Sequence, residues 1–544
     1  MERMLLDEIG RWTLELAGLP NVTRLGADEI RSRAEAFGTP TALGNYNFVS
    51  TIKSLSTALT VYLGSELVES DTPTQRKRDI VKAAPKTLRA VRRYITRAPM
   101  VRCECAMGES DEFSPRCAFY VSTYRKESIR LAHMVLRTFP PVRHHDGPEL
   151  TVVMVPEWPE KERQVLVFPE IGVTYVLGTD YYGEAKNALL RMAMWSAKQR
   201  GMLGLHAGTK IIRARGADGR PRKLGMILFG IAATGKTTHT CHDHGLDGPG
   251  EGVEILQGDV VFWRGDGSAL GSKRGFHVKT EALTPEIQPL LYSAALKPDA
   301  VLENVTVDYE GNVFFEDRTL TANSHAIIQR ADLGRYAGAG IDLPAADQLD
   351  GLIMAFMVRS YTVVPIASRL TAEQAAVAFM LSESIDAAGS DQQTPGTPSR
   401  GITASPLVIG EASEDCNRFY QFVKLLGDRV ECYMLNTGGV GELVEHGLDG
   451  ARRVVRKVTR VQIPEMATII RGIARGSIRW REDPNWMVDT PEWVDGLDIT
   501  QFDLSRHYDQ EKMDASIAAI RLERAEYAEQ IRGLDEEIAK AAGF

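Results

Sequence analysis

The run LGMILFG at residues 224–230 leads into IAATGKTTHT, so the pattern G-x-x-x-x-G-K-T falls on Gly230, Gly235, Lys236 and Thr237. It stands between a strand-like segment and a helix-like one, the context this phosphate-binding pattern requires. Gly230 and Gly235 let the backbone turn tightly and aim its N–H groups at phosphate oxygens, and the following helix start adds positive partial charge. Lys236 is expected on the β and γ phosphates and Thr237 on Mg²⁺. Ala233, Thr234 and Thr238, in or beside the loop, complete an expected cofactor-binding set for ATP with magnesium.

A second apolar run, Val253 to Leu256, ends in Gly258 and Asp259. An acidic residue at a strand end can hold a divalent cation directly or through water. Thr237, Asp259 and His206 are therefore the expected metal-facing residues. His239, Cys241, His242 and His244 crowd just past the loop. Imidazole and thiolate suit zinc or manganese, but neighbours on a helix point apart, so a shared ion is not expected there.

These residues need elements to hold them. Strand-like runs at Thr151 to Val155, Gln164 to Leu177, Leu203 to His206 and Leu224 to Phe229 alternate with a helical pattern from Glu184 to Lys198, which predicts a mixed α/β protein. Two β-rich runs between Val301 and Asp317 flank Glu310 and Gly311 and predict a tight hairpin. Residues 387–404, small, polar and rich in Gly, Ser and Pro, read as a mobile loop. The basic stretch Lys82 to Arg97 reads as a solvated helix face. From Asp509 to Lys540, Met513, Ile517, Ile520, Tyr527, Ile531, Leu534 and Ile538 recur at helical intervals and predict a packed helix or helical hairpin.

At 544 residues the chain exceeds one core, and two large domains are expected, residues 1–200 and 201–544. With 44% hydrophobic and 25% charged residues and no apolar run of about 18, the composition is that of a globular chain and argues against a membrane span. The net charge of −8 argues against nucleic acid as a partner. Six cysteines without paired spacing imply reduced, packed thiols, and the acidic start of the chain lacks a secretory pattern, so a cytoplasmic location is expected. Oligomeric state stays open.

The order of motifs resembles the ATP-dependent phosphoenolpyruvate carboxykinases from about residue 100 to the C-terminus. The segments that carry it are GTDYYGEAKN from Gly178, LGLHAG with His206, FGIAATGKTT, LQGD ending at Asp259, and GFHVK ending at Lys279. They continue with PEI at 285–287, VLENVTVD at 301–308, LTANSH ending at His325, YMLNTGG at 433–439, and TRVQIPEMATII at 459–470. The resemblance implies an N-terminal substrate domain and a C-terminal nucleotide domain with the active site between them. It implies that oxaloacetate is decarboxylated and the enolate phosphorylated by ATP, with Mg²⁺ on the nucleotide and Mn²⁺ at the substrate. It implies catalytic roles for Lys236, Lys279, Lys186 and His206, substrate contacts from Tyr181 and His325, and Arg460 and Val461 flanking the adenine.

Three positions and one missing motif depart from the family pattern. The lysine, histidine and aspartate that hold the family's transition metal read Asn187, His206 and Val260, so the manganese and oxaloacetate side looks eroded unless Asp259 or the nearby histidines substitute. His325 stands where the family has an arginine, a permanent bidentate donor. The family's substrate-arginine motif is not found near residues 60–80, where Arg76 and Arg78 are the nearest basic candidates. Two alternatives therefore stand beside the carboxykinase: a kinase of another small molecule or protein, and an ATP-binding scaffold without turnover.

Overall fold

The computed structural model describes residues 3–68, 74–143, 149–230, 234–381, 384–385, 398–399, 407–446 and 452–544. Ala233 and, apart from 398–399, the loop expected over 387–404 lie outside the described residues. Among the described residues the architecture is mixed α/β, built on a seven-stranded, an eight-stranded and a five-stranded sheet together with smaller ones.

The seven-stranded sheet explains its own sequence pattern. Its central strand Glu149–Val155 is buried along nearly its whole length, because helices cover both faces. Successive side chains alternate sides. Val152 and Met154 join a core with the helices Ile129–Thr138 and Tyr182–Gln199, while Val153 and Val155 join one with Arg3–Glu15 and Gln75–Ile95. The helix Gln75–Ile95 buries Ala84, Leu88, Val91 and Ile95 along one stripe, which leaves its basic residues for the opposite face, as expected. The run from Gln164 to Leu177 is two strands, Gln164–Phe168 and Val173–Leu177. Pro169 opens the turn between them, and Gly172 closes it at φ 67°.

The eight-stranded sheet carries the glycine-rich loop. Its order begins Gly252–Gln257, Ala207–Arg215, Pro221–Phe229, Gly351–Val358 and Val430–Asn436. Pro221–Phe229 runs parallel to Gly351–Val358, which runs parallel to Val430–Asn436, so three strands release their carboxyl ends on the same edge.

In the five-stranded sheet Gly275–Lys279, His325–Gln329, Val301–Glu303, Tyr46–Phe48 and Thr39–Pro40 lie in that order. Two of its strands come from the first 50 residues, and the rest from beyond residue 270. The expected hairpin is present, with Thr306–Val307 paired to Val313–Phe314 and Gly311 at φ 85° in the turn. At the C-terminus Gln510–Glu529 and Glu536–Ala541 pack through Met513, Ile517 and Ile538. Among the described residues no helix is long and apolar enough to cross a membrane, and all six cysteines are free and buried.

Candidate active site

The strand Pro221–Phe229 delivers Gly230 at φ 153°, where a Cβ would fall 3.1 Å from the Met357 carbonyl oxygen of the neighbouring strand. Only glycine fits so close a backbone. Gly235, at φ 87°, precedes the short helix Lys236–Thr240. Thr437, just after the strand Val430–Asn436, pins the loop by donating its hydroxyl to the Thr234 carbonyl at 2.8 Å. Thr238 Oγ1 donates to Gln288 Oε1 at 3.2 Å, which ties the helix to a neighbouring segment. Thr237 is half-buried.

Lys236 is 7% exposed, and its Nζ has no hydrogen-bond partner. Burial pushes its pKa down to about 7, Asp259 opposes that shift, and Lys186 and Lys273 add to it. A buried, unpartnered amine at the end of a glycine-rich turn is a site made for an anion.

That anion would arrive beside a charge cluster organised on Asp259. The carboxylate is 7% exposed and lies two residues beyond the strand Gly252–Gln257. Its Oδ2 accepts from Lys273 Nζ at 2.7 Å and from Lys186 Nζ at 2.8 Å, and its Oδ1 lies 3.0 Å from His206 Nε2. Burial alone would raise this carboxyl, but Lys186 and Lys273 hold it well below the usual range. Burial lowers His206 to about 4, with Lys236 adding to the shift, so the imidazole is neutral. With Nε2 facing the carboxylate, the unpartnered Nδ1 is left as the lone-pair nitrogen. Burial lowers Lys273 to about 8.

The structure thus joins a lysine, a histidine and an aspartate from Lys186, His206 and Asp259. Motif order alone assigned these roles to Asn187, His206 and Val260. Val260 is fully buried in the core that contains Met192 and Phe262, and cannot face the cluster. Lys186 projects from the helix Tyr182–Gln199 toward Asp259, and the adjacent Asn187 does not share that contact.

A second row of polar side chains crosses the five-stranded sheet. His325 is directly opposite Lys279 on one side and Glu303 on the other. Burial lowers Lys279, with Glu281 opposing the shift. Burial, with Lys279 next, lowers His325 to about 3, so it is a neutral imidazole. Glu303 Oε1 accepts the backbone N–H of Tyr182 at 3.3 Å, where the helix Tyr182–Gln199 begins. Tyr181 caps that helix start, its ring centroid 6.3 Å from His325, and its hydroxyl accepts from Asn323 at 3.0 Å.

On the other side of the glycine-rich loop, Arg460 is exposed, stacks over Tyr361 at 5.1 Å and donates to its hydroxyl at 2.6 Å. Val461 is 7% exposed and packs into a hydrophobic core, with its N–H on the Gly438 carbonyl, next to the Thr437 that pins the loop. The crowded histidines past the loop have another role. Lys210 Nζ donates to the His239 carbonyl at 2.5 Å and the His242 carbonyl at 3.1 Å and touches His244 Nε2, so these residues wrap a buried lysine.

Sequence reasoning missed Lys273 and Arg359. Lys273 stood in an unremarkable SKRG run, and its only signal was a lysine between two strand-like segments. Arg359 follows the strand Gly351–Val358, which neighbours the strand of the loop, and its Nε is buried without a partner. Its signal was an arginine closing the apolar run LIMAFMV, but strand adjacency is not written in local sequence.

The fold and this site define an α/β protein with a glycine-rich anion loop at the carboxyl edge of a sheet, next to a lysine-rich acid–histidine cluster. The model of the ATP-type phosphoenolpyruvate carboxykinase family matches residues 75–500, and the chain belongs to that family. It is similar to the phosphoenolpyruvate carboxykinase (ATP) of Aeropyrum pernix, 29% identical over 440 residues, covering 80% of this chain and 82% of the relative. It is also similar to that of Rhizobium rhizogenes, 24% identical over 411 residues, 74% of this chain and 71% of the relative.

Proposed function

We propose that the protein is an ATP-dependent phosphoenolpyruvate carboxykinase, converting oxaloacetate and ATP to phosphoenolpyruvate, CO₂ and ADP. The observation that carries this reading is the convergence of Lys186, Lys273 and His206 on Asp259, beside the unpartnered Lys236, in a chain of this family.

In the reaction the bond between C3 and C4 of oxaloacetate breaks, CO₂ leaves, and the electron pair passes to the C2 oxygen as an enolate. That oxygen attacks the γ-phosphorus, and the bond to the ADP oxygen breaks. Negative charge therefore gathers on the enolate and on the transferring phosphoryl group, where fixed cations are most effective.

Lys236 binds the β and γ phosphates, and Gly230, Thr234, Gly235 and Thr238 cradle them, with Ala233 assigned to the same set from the sequence. Lys186 and Lys273 stabilise the enolate side, and Asp259 holds both amines in place. Tyr181, Lys279 and His325 line the substrate end, and Arg460 and Val461 bound the adenosine end. Thr237 and Asp259 would hold Mg²⁺, and Asp259 with His206 Nδ1 or Nε2 offers an oxygen and nitrogen set that suits Mn²⁺. A divalent cation there supplies charge neutralisation for the phosphates and polarises the enolate oxygen. On this reading the manganese side is re-phased by one residue at Lys186 and Asp259, while the loss of the arginine at His325 remains. We also propose that the boundary near residue 200 separates the substrate-binding and nucleotide-binding units.

Release of labelled CO₂ from oxaloacetate carrying the label at C4 tests the reading. Release that depends on MgATP and disappears in Lys236→Ala supports it; release at the spontaneous rate whatever the nucleotide contradicts it.

A further inference from the structure

Three ligand-type side chains lie together in the five-stranded sheet without a role in the scheme above as a group. His277, Glu303 and His325 each offer one ligand atom, and the three atoms lie within 4.8 Å of one another, the one such group of three or more His, Cys, Asp or Glu residues among the described residues. They come from three adjacent strands, Gly275–Lys279, His325–Gln329 and Val301–Glu303. Glu303 is directly opposite His325, and His277 is two residues before Lys279, so it shares the same face of the sheet.

Buried polar atoms normally find partners. Here each residue keeps one that does not: His277 Nε2, Glu303 Oε2 and His325 Nδ1. Glu303 is 1% exposed and His325 5%. The surroundings hold the carboxylate in place, since its other oxygen, Oε1, takes the Tyr182 N–H at 3.3 Å and the Arg130 guanidinium at 3.5 Å. Tyr182 also presents its ring to His277, with centroids 5.3 Å apart. Such outer contacts are what orient ligands around an ion.

We infer that His277, Glu303 and His325 form a binding site for a divalent transition-metal ion of the zinc or cobalt type, separate from the Asp259 cluster. Two imidazoles and one carboxylate are a common donor set for such ions. The two rings stack with centroids 4.2 Å apart and planes 9° from parallel, so one must turn about its χ2 for both lone pairs to converge. Lys279 opposite His325, and Lys186 nearby, add positive charge to the approach. Dative bonds from neutral nitrogens tolerate that charge better than the charge-driven binding of Mg²⁺ or Ca²⁺, so the site selects nitrogen-preferring metals. An ion here would also return positive charge to the position where His325 replaces an arginine. That consequence rests on the proposed reaction, and the site itself does not.

The test uses the full chain, stripped with a chelator and desalted, with no nucleotide or substrate. Co²⁺ is titrated and its visible absorption followed, then Zn²⁺ is added in competition. The expected result is a saturable equivalent, displaced by Zn²⁺, that is additional to any ion taken up at Asp259 and His206. His277→Ala, His325→Ala and Glu303→Gln each weaken it at least about tenfold, while Asp259→Asn leaves it in place. Glu303→Gln keeps the size and an acceptor for Tyr182, so it decides the matter if an alanine variant fails to fold by circular dichroism. Absence of a saturable equivalent in the unmodified protein, or a signal lost in Asp259→Asn and kept in Glu303→Gln, overturns the inference. Neither result depends on turnover, so a failure here is separable from a failure of the carboxykinase reading.

Discussion

Asp259→Asn is the perturbation that tests the organisation of the site most sharply. The substitution keeps the shape and one acceptor oxygen but removes the charge that faces Lys273 at 2.7 Å, Lys186 at 2.8 Å and His206 at 3.0 Å. Lys273 is 1% exposed at its side chain and cannot turn to solvent. Removing one partner of a buried pair costs about 3–5 kcal/mol, because the remaining charge is left uncompensated. Lys273→Met is milder, since Asp259 keeps Lys186 and His206, and a cost of about 1–2 kcal/mol is expected. In the double variant one of the stranded amines is gone. Its cost should therefore fall below the sum of the single variants by about 0.5–3 kcal/mol, the range for residues in one ionic network. Urea unfolding of the four proteins, without added metal or nucleotide and followed by two probes, closes the cycle. Additivity within about 0.5 kcal/mol, or an Asp259→Asn cost below about 1 kcal/mol, would refute the claim that this carboxylate organises the cluster.

Other expectations follow from the same geometry. Lys236→Ala removes a charge-assisted phosphate contact, so binding of ATP should weaken by at least about tenfold while adenosine binding barely changes; equal losses in calorimetry would count against the placement of the loop. Lys273→Met should lower kcat by about a hundredfold with a much smaller change in KM for ATP, since its cation acts where charge develops, and a pure KM effect would move it out of the reaction. Lys210 is buried with its pKa lowered to about 7, so above that pH the unfolded state binds more protons than the folded one. Stability should rise with pH from about 7 toward the ordinary lysine range, by at most about 1.4 kcal/mol per pH unit from this group. In Lys210→Met that slope in the unfolding free energy should flatten, and an unchanged slope would show that another group sets it.

Much of this was legible in the sequence. The apolar runs ending in Gly230 and Asp259 marked strand ends, and continuous burial of Leu150 to Val155 is what a mostly apolar run between two helical layers requires. Lys186 and Asp259 were named from the sequence, one as catalytic and the other as metal-facing, but that they take the places of the family's metal-holding lysine and aspartate was not legible. Motif order pointed to Asn187 and Val260, one residue beyond the side chains that meet, because the direction of a side chain depends on helix phase and on the bend after Gln257. Lys273 and Arg359 were missed for a related reason: Lys273 matters through Asp259, which a fold of the chain brings to it, and Arg359 through the pairing of its strand with that of the loop. The pairing of Glu303, His325 and Lys279 across three strands likewise depends on register, which local pattern does not fix.

Phosphorus NMR of the full chain with ATP, oxaloacetate, Mg²⁺ and Mn²⁺ tests the central claim most directly. The account predicts that phosphoenolpyruvate and ADP signals grow together in equal amounts, without inorganic phosphate, and that both vanish in Lys236→Ala. Persistence of the ATP signal, or its conversion to ADP with no phosphoenolpyruvate, would contradict it.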